Sequence, residues 1–210
     1  MSGAKSFAGA SAAVPASTPL LDIQDVSKGF TLHAAGRRVR GCEHISMRVG
    51  HGEFVGVTGR SGSGKSTILK CIYRTNLPES GKILYDSAAF GVVDLATLDE
   101  RRMIYLRNNE IGYISQFLDC VPRTTARQIV RASASEAFED EEAIESETTR
   151  MLEHFDFPKN LWDLYPNTFS GGEKLRLNIA RAMVRRPRFL LLDEPTASLD
   201  NASKAKVREL

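Results

Sequence analysis

The residues with the clearest chemistry form a glycine-rich run. They are Gly59, Arg60, Ser61, Gly62, Ser63, Gly64, Lys65, Ser66 and Thr67. The run fits the pattern G-x-x-x-x-G-K-[ST], in which glycines let consecutive backbone N–H groups turn towards phosphate oxygens and the following helix directs its positive end there. Lys65 is expected to bring a mobile cation to the β- and γ-phosphates, and the Ser66 hydroxyl is expected to coordinate Mg2+. The run therefore predicts a nucleoside triphosphate site.

Two adjacent acids follow an apolar run late in the chain. Residues Phe189–Leu192, bounded by Pro187 and Pro195, predict a strand that is buried on both faces. Ligands bind at the carboxyl ends of strands in open α/β sheets, and Asp193 and Glu194 stand at that end. Asp193 is a candidate for the Mg2+ shell, and Glu194 is a candidate general base for the attacking water.

A third group precedes a predicted helix. Phe169 leads into Ser170, Gly171, Gly172 and Glu173. The Ser-Gly-Gly centre predicts a helix N-terminus with exposed N–H groups and a hydroxyl, which suits a γ-phosphate. On its own such a centre is usually only a helix cap, so its weight comes from its position upstream of Asp193.

The surrounding pattern predicts the scaffold that positions these groups. A strand over Phe54–Val57 and a helix over Lys65–Arg74 place the glycine-rich run at a strand-to-helix turn. Further strands are predicted at Leu21–Val26, His44–Val49, Lys82–Tyr85 and Ile111–Ser115, and a polar helix at Leu98–Leu106. The prediction is an α/β fold in which an antiparallel β-subdomain packs beside a phosphate-loop core.

Helical spacing dominates between Gln116 and Ser170. An apolar stripe there is predicted to be core, and it consists of Ile144, Met151, Leu152 and Phe155. The acids on the opposite face are predicted to be solvated, and they are Glu139–Glu142, Glu145 and Glu147.

Composition limits the class of protein. The chain has 210 residues, 42% hydrophobic residues and a net charge of +2, which predicts one globular, cytoplasmic domain without an electrostatic case for nucleic acid. It contains no apolar run of about 18 residues, so no membrane span is expected. Cys42, Cys71 and Cys120 are scattered and are expected to be reduced thiols. Residues 1–19 are rich in Ala, Ser, Gly and Pro and are expected to be a disordered lead-in.

The order and spacing of the three chemical groups resemble the ATP-binding-cassette (ABC) ATPases, whose commonest signature is LSGGQ. The resemblance implies a P-loop NTPase fold over residues 20–210, with a helical signature subdomain at about 117–169, and a Mg2+-dependent ATPase. It implies that Gln116 touches Mg2+ and senses a partner protein, and that Asp200 lies in a loop crossing a dimer interface. It also implies that Phe30 stacks on adenine, and that the signature faces ATP held by a second cassette in a homodimer or heterodimer.

One family element is missing. The switch histidine expected beyond Glu194 has no counterpart, because the histidines are His33, His44, His51 and His154. The sequence ends at Leu210, inside a predicted helix that begins at Asn201. These observations favour a cassette truncated at its C-terminal end, with hydrolysis impaired more than ATP binding.

Five short segments resemble the L-type cassette of the bacterial carbon-phosphorus lyase system. These segments are Ser115–Leu118, Val121–Arg123, Leu161–Leu164, Pro166–Glu173 and Leu177–Arg181. That resemblance implies soluble phosphonate-degrading partners and an association with ribose 1-methylphosphonate 5-triphosphate synthesis. Two alternatives remain: an ATP subunit of a membrane transporter of lipoprotein-release or macrolide-export type, and a structural module that binds ATP without hydrolysing it. The segment from Gln116 to Arg123 is expected to distinguish the carbon-phosphorus lyase cassette from the transporter subunit.

Overall fold

The computed structural model describes residues 18–32, 36–115 and 123–193. The elements in chain order are β1 (Leu21–Leu32), β2 (Arg37–Val49), α1 (Lys65–Ile72), β3 (Ser80–Ser87), β4 (Gly91–Asp94), α2 (Glu100–Asn109), β5 (Ile111–Ile114), α3 (Ala126–Ala134), α4 (Glu141–His154), α5 (Gly171–Met183) and β6 (Phe189–Leu192). Two short 3-10 turns, Lys159–Leu161 and Pro166–Thr168, lie between α4 and α5. The α/β class predicted from the sequence is confirmed.

The antiparallel β-subdomain is a four-stranded sheet in the order β2-β1-β3-β4. Alternation along β1 buries Leu21 and Ile23 in the core. An irregularity then follows at Asp25, which has a φ of 53°, and the register shifts so that Val26 is the next buried residue. The three predicted strands that belong to this sheet are therefore present, and all three are longer than expected.

The second sheet contains β5 and β6 in parallel register, with Ile111 opposite Phe189 and Ile114 opposite Leu192. The prediction that β6 is buried on both faces is only partly right. Leu191 is buried, whereas the other three residues of β6 are half-buried. In the part of the chain that the structure describes, β5 is the strand paired with β6, so the opposite edge of β6 lacks a ladder.

The predicted strand at Phe54–Val57 is absent. Residues 53–60 have no regular secondary structure, and the side chains of Phe54, Val55 and Val57 are each about two-fifths exposed. A strand requires a neighbour to complete its backbone hydrogen bonds, and no strand of the described ranges pairs with this segment. The apolar run alone could not reveal whether such a neighbour is present.

Two apolar cores hold the elements together. One core joins the four-stranded sheet to α1 and α2, and the other packs α3, α4 and α5 against each other. The two-stranded sheet reaches both, because Ile111 and Leu191 lie in the first core and Ile114 lies in the second. The strands that carry the candidate site are therefore anchored on both sides.

The helical segment confirms the predicted stripe and corrects part of the acidic face. Ile144, Met151, Leu152 and Phe155 are all buried. Glu145 and Glu147 are not simply solvated, since each pairs with two arginines. The pairs are Glu145 with Arg127 and Arg131, and Glu147 with Arg150 and Arg186. The cationic partners come mainly from other elements, which periodicity along α4 could not show.

The remaining expectations have simple outcomes. Cys42 and Cys71 are buried free thiols, as expected, whereas Cys120 lies outside the described residues. Within the described ranges, no helix is both long and apolar enough to cross a bilayer. Residues 1–17 of the predicted lead-in, and the segment 116–122, are likewise outside the described residues.

Candidate functional site

The phosphate-loop candidate forms a turn that leads directly into α1. Gly62 and Gly64 have φ values of 78° and 92°, which side chains with a Cβ rarely adopt. Gly64 is the N-cap of α1, and within the described residues no side chain caps the first N–H groups of that helix. The positive end of α1 is therefore available to an anion.

Lys65 places its ammonium across this turn. Its Nζ donates to the carbonyl oxygen of Gly59 at 3.0 Å and to that of Arg60 at 3.0 Å. Neutral carbonyls are weaker partners for an ammonium than charged phosphate oxygens are. The cation is thus held within the loop by bonds that an anionic ligand can replace.

The β-subdomain contacts the loop through a second glycine, Gly41 of β2. A Cβ built at Gly64 would overlap the carbonyl oxygen of Gly41, and a Cβ at Gly41 would come within 2.7 Å of the Phe30 ring and 2.9 Å of Thr67. Phe30 is 37% exposed, and Lys28 Nζ lies 5.5 Å from its ring centre. The structure therefore brings Phe30 beside the phosphate loop, with part of its ring free for a flat ligand.

Asp193 stands directly after β6 and is 7% exposed. Its backbone N–H donates to the Ile114 carbonyl at 2.9 Å, and its Oδ2 accepts a hydrogen bond from the Tyr113 hydroxyl at 2.7 Å. Burial, then this hydrogen bond, raises the pKa of Tyr113 well above its usual value, so the phenol remains a donor. Sequence reasoning missed Tyr113, because the two residues are 80 positions apart.

The donor set at Asp193 fits a Mg2+ ion. Its Oδ1 is buried and has no hydrogen-bond partner within the described ranges, and an unpartnered buried oxygen is unfavourable unless a cation or water meets it. No cluster of three or more His, Cys, Asp or Glu side chains suited to a metal occurs among the described residues. Mg2+ requires no such cluster, since it typically binds protein through one or two carboxylates and takes water and phosphate oxygens for the rest.

The Ser-Gly-Gly centre is the predicted helix start. Ser170 is the N-cap of α5, and Glu173 completes a capping box with it. Ser170 N and Oγ donate to Glu173 Oε2 at 2.7 Å and 2.8 Å, and the N–H of Ser170 is the main reason that the pKa of Glu173 is lowered. A Cβ at Gly171 or Gly172 would meet nothing within 4 Å, so this turn is open on its outer side.

Phe169 and Glu173, the two departures from the commonest family signature, both have internal roles. Phe169 is buried and packs against Phe157, with ring centres 5.5 Å apart. Glu173 closes the capping box described above. The replacements therefore preserve the helix start, and they leave the Ser-Gly-Gly backbone accessible.

Two residues that suggested the finer resemblance are also internal. Trp162 is 8% exposed and donates its indole N–H to the Phe157 carbonyl at 3.0 Å. Asn178 is 2% exposed and donates to the Ser115 carbonyl at 3.3 Å while accepting two bonds from Arg181. Because both side chains are used inside the domain, they do not identify the partner surface.

Three predicted site residues cannot be placed. Gln116, Glu194 and Asp200 lie outside the described residues, so their expected roles remain predictions. The structure does bring together the phosphate loop and Phe30. It also links α1 to Asp193, because Tyr73 at the end of α1 stacks on Tyr113, with ring centres 4.9 Å apart.

A glycine-rich turn before a helix, a lysine within it and a carboxylate at the end of a parallel strand define a P-loop nucleoside-triphosphate-binding protein. The sequence model of the ABC transporter family (ABC_tran) matches residues 42–197, and the chain belongs to this family. It is therefore an ABC-type P-loop ATPase domain, a class that uses ATP and Mg2+.

Two relatives in sequence and one solved structure are similar to most of this chain. The lipoprotein-releasing system ATP-binding protein LolD 2 of Chlorobium chlorochromatii is 32% identical over 191 residues, which are 91% of this chain and 78% of the relative. The methionine import ATP-binding protein MetN of Vibrio vulnificus is also 32% identical over 191 residues, but this chain spans only 53% of its length. A dimeric ATP-binding cassette, solved in a post-hydrolysis state bound to ADP and Pi, superposes with a TM-score of 0.76 at 26% identity, covering 89% of this chain and 79% of that one.

The names of these relatives bear on whether the chain serves a membrane transporter or a carbon-phosphorus lyase. Two of the three carry names of transport systems, and none of the three is named as a carbon-phosphorus lyase subunit. The family is as predicted, but the comparisons support the transporter alternative better than the phosphonate-degrading one.

Proposed function

We propose that this chain is the ATP-binding and ATP-hydrolysing subunit of a membrane transporter, and that it works as one of two cassettes that close on bound nucleotide. The phosphate loop is the observation that carries the proposal. Its helix start at Gly64 is uncapped, and Lys65 Nζ is held across the turn by two carbonyls. A cation and a helix start within one turn suit a polyphosphate.

Each part of the proposed site has a role in binding. Lys65 exchanges its carbonyl partners for β- and γ-phosphate oxygens, and the loop N–H groups hold the remaining phosphate oxygens. Phe30 offers an exposed ring for adenine. Ser66 and Asp193 are the residues that would hold Mg2+, which neutralises phosphate charge during phosphoryl transfer.

Hydrolysis requires groups from two cassettes in this proposal. Glu194 accepts the proton of the attacking water, and Gln116 would contact Mg2+ and sense the partner. The open turn at Gly171 and Gly172 offers N–H groups to a γ-phosphate held by the opposite cassette. The dimeric state of the solved relative supports this arrangement.

The coupled partner is proposed to be a membrane subunit. The lipoprotein-releasing and methionine-import relatives support this choice, since transport requires a pathway through the bilayer that a cassette does not supply. Two of the residues that carry the resemblance to the carbon-phosphorus lyase cassette, Trp162 and Asn178, are buried and so offer no surface to a partner. The non-hydrolysing structural module is disfavoured by the retained carboxylate pair, Asp193 and Glu194.

The two-cassette mechanism can be tested by light scattering on Glu194→Gln with Mg2+ and ATP. We expect the mass to double, because binding is retained while the hydrolysis that separates the cassettes is blocked. Lys65→Ala is the matched control, and it should remain monomeric under the same conditions. A Glu194→Gln protein that binds ATP and remains monomeric would contradict the mechanism.

The partner can be tested by purifying the tagged chain from detergent-solubilised membranes and from the soluble fraction of its own cells. Mass spectrometry should find an integral membrane permease in nearly stoichiometric amount, and Lys65→Ala should retain it. Recovery of soluble phosphonate-degrading subunits without a permease would overturn the transporter assignment and restore the lyase interpretation.

A further inference from the structure

Tyr113 connects the helix that follows the phosphate loop to Asp193. Its ring stacks on Tyr73 with an interplanar angle of 23°, and Tyr73 caps the C-terminal end of α1. Its hydroxyl donates to Asp193 Oδ2. One side chain of β5 therefore touches both the helix that begins at the phosphate loop and the carboxylate that follows β6.

Asp193 is constrained by two bonds that leave one oxygen unused. Its backbone N–H donates to Ile114, and the Tyr113 hydroxyl occupies Oδ2. The other oxygen, Oδ1, is buried and has no hydrogen bond within the part of the chain that the structure describes. Because a carboxylate without the phenol could rotate and exchange its oxygens, the Tyr113 bond determines which oxygen is left for a cation.

We propose that Tyr113 is a positioning residue for Mg2+: its hydroxyl holds Asp193 in the orientation in which Oδ1 meets the ion. This inference rests on the proposed function, in which Asp193 contributes to the Mg2+ shell. Residues that hydrogen-bond a metal ligand orient it and raise metal affinity, and their loss typically lowers that affinity by about 10- to 100-fold. Loss of the Tyr113 hydroxyl would therefore lower the affinity for Mg2+ and leave the metal-free affinity for the nucleotide unchanged.

Tyr73 gives the arrangement its rigidity. The Arg107 guanidinium lies 5.0 Å from the Tyr73 ring centre, and its Nε donates to the Tyr73 carbonyl at 2.9 Å. With Tyr73 fixed from α2, the stacked Tyr113 ring has restricted freedom to turn its hydroxyl away from Asp193. The position of the phenol is thus set by packing on the side remote from the carboxylate.

The same domain contains a matched control for a purely structural role. The Tyr85 hydroxyl of β3 donates to Glu110 Oε2 at 3.1 Å, and both residues are buried. This pair likewise joins a phenol to a buried carboxylate, although Tyr85 is buried and Tyr113 is half-buried. The pair lies outside the proposed site, so Tyr85→Phe reports the general effect of removing such a bond.

The experiment measures nucleotide binding without turnover. A fluorescent, non-hydrolysable ATP analogue is titrated against each protein in EDTA, and Mg2+ is then titrated at a fixed analogue concentration. Tyr113→Phe should raise the Mg2+ concentration at half-saturation by about 10- to 100-fold and leave the affinity in EDTA unchanged. Tyr85→Phe should leave both quantities unchanged, although it lowers the unfolding midpoint.

A second variant keeps the test decisive. In an Asp193→Asn background, adding Tyr113→Phe should produce no further change in the Mg2+ midpoint, because the two residues act through one interaction. An unchanged midpoint in Tyr113→Phe, an equal shift in Tyr85→Phe, or a loss of affinity in EDTA would each overturn the proposal. Failure of the underlying assignments is distinguishable: without an ATP site the unmodified protein would not bind the analogue at all, and without a Mg2+ role for Asp193 the Asp193→Asn variant alone would leave the Mg2+ midpoint unchanged.

Discussion

Gly64→Ala tests whether the contact between the phosphate loop and the β-subdomain builds the site. The structure gives two reasons why this substitution should lower the free energy of unfolding. A residue with a Cβ at a φ of 92° is strained by about 1–2 kcal/mol, and the new methyl carbon would lie well under 3.0 Å from the Gly41 carbonyl oxygen. Forcing an atom into a packed contact adds about 1–3 kcal/mol, so the free energy of unfolding should fall by about 2–5 kcal/mol.

Gly91→Ala separates the two effects. Gly91 also has a positive φ, 67°, but a Cβ there would meet nothing within 4 Å. Its substitution should therefore lower the free energy of unfolding by only the backbone strain of about 1–2 kcal/mol. Urea denaturation measures both variants, and binding of a fluorescent ATP analogue is measured in parallel.

The affinity for the ATP analogue is a more specific test of the site than the free energy of unfolding is. Gly64→Ala must separate the loop from Gly41 and turn the first N–H groups of α1, so analogue affinity should fall by at least about tenfold, or about 1.4 kcal/mol. Gly91→Ala should bind the analogue as the unmodified protein does. Equal losses of stability in the two variants, with unchanged analogue affinity in Gly64→Ala, would refute this reasoning.

Three further predictions concern groups around the site. Asn178→Ala loses three hydrogen bonds in the interior, so urea denaturation should show about 1–3 kcal/mol less stability; an unchanged midpoint would contradict this. Burial raises the pKa of Cys71 to about 11, so the folded thiol should resist alkylation at pH 8, and stability should fall as pH rises from about 8.5 towards 11. The pKa of Glu173 is lowered, so its stabilising effect is present above about pH 4.3 and lost as pH falls through the lower folded value; Glu173→Gln should remove this acid dependence from the urea midpoint.

Most helices and strands could be predicted because local pattern decides them. The helix after the glycine-rich run begins at Lys65 as predicted, directly after its N-cap Gly64, whose left-handed conformation is one that glycine readily adopts. Helix α2 begins at Glu100, two residues later than predicted, because Asp99 caps it by accepting the N–H of Arg102. Such signals lie within a few residues of each other, and sequence alone contains them.

Pairings between distant segments could not be predicted in the same way. The strand expected at Phe54–Val57 depends on a hydrogen-bonded neighbour, and hydrophobicity gives no information about that neighbour. The arginines that neutralise Glu145 come from α3, so the helical period of α4 made this residue look solvated. The same limit hid Tyr113, whose hydroxyl meets a carboxylate on another strand.

Strand β5 connects the helix that begins at the signature turn to the candidate Mg2+ carboxylate. At the end of this strand, Tyr113 donates to Asp193 and Ile114 pairs with Leu192, and Ser115, directly after the strand, accepts a hydrogen bond from Asn178 of α5. The helix that begins at the signature turn is therefore bonded to the strand that orients the candidate Mg2+ carboxylate. A shift of α5 would therefore pull on the end of this strand through the Asn178–Ser115 hydrogen bond, and Tyr113 would pass the displacement on to Asp193.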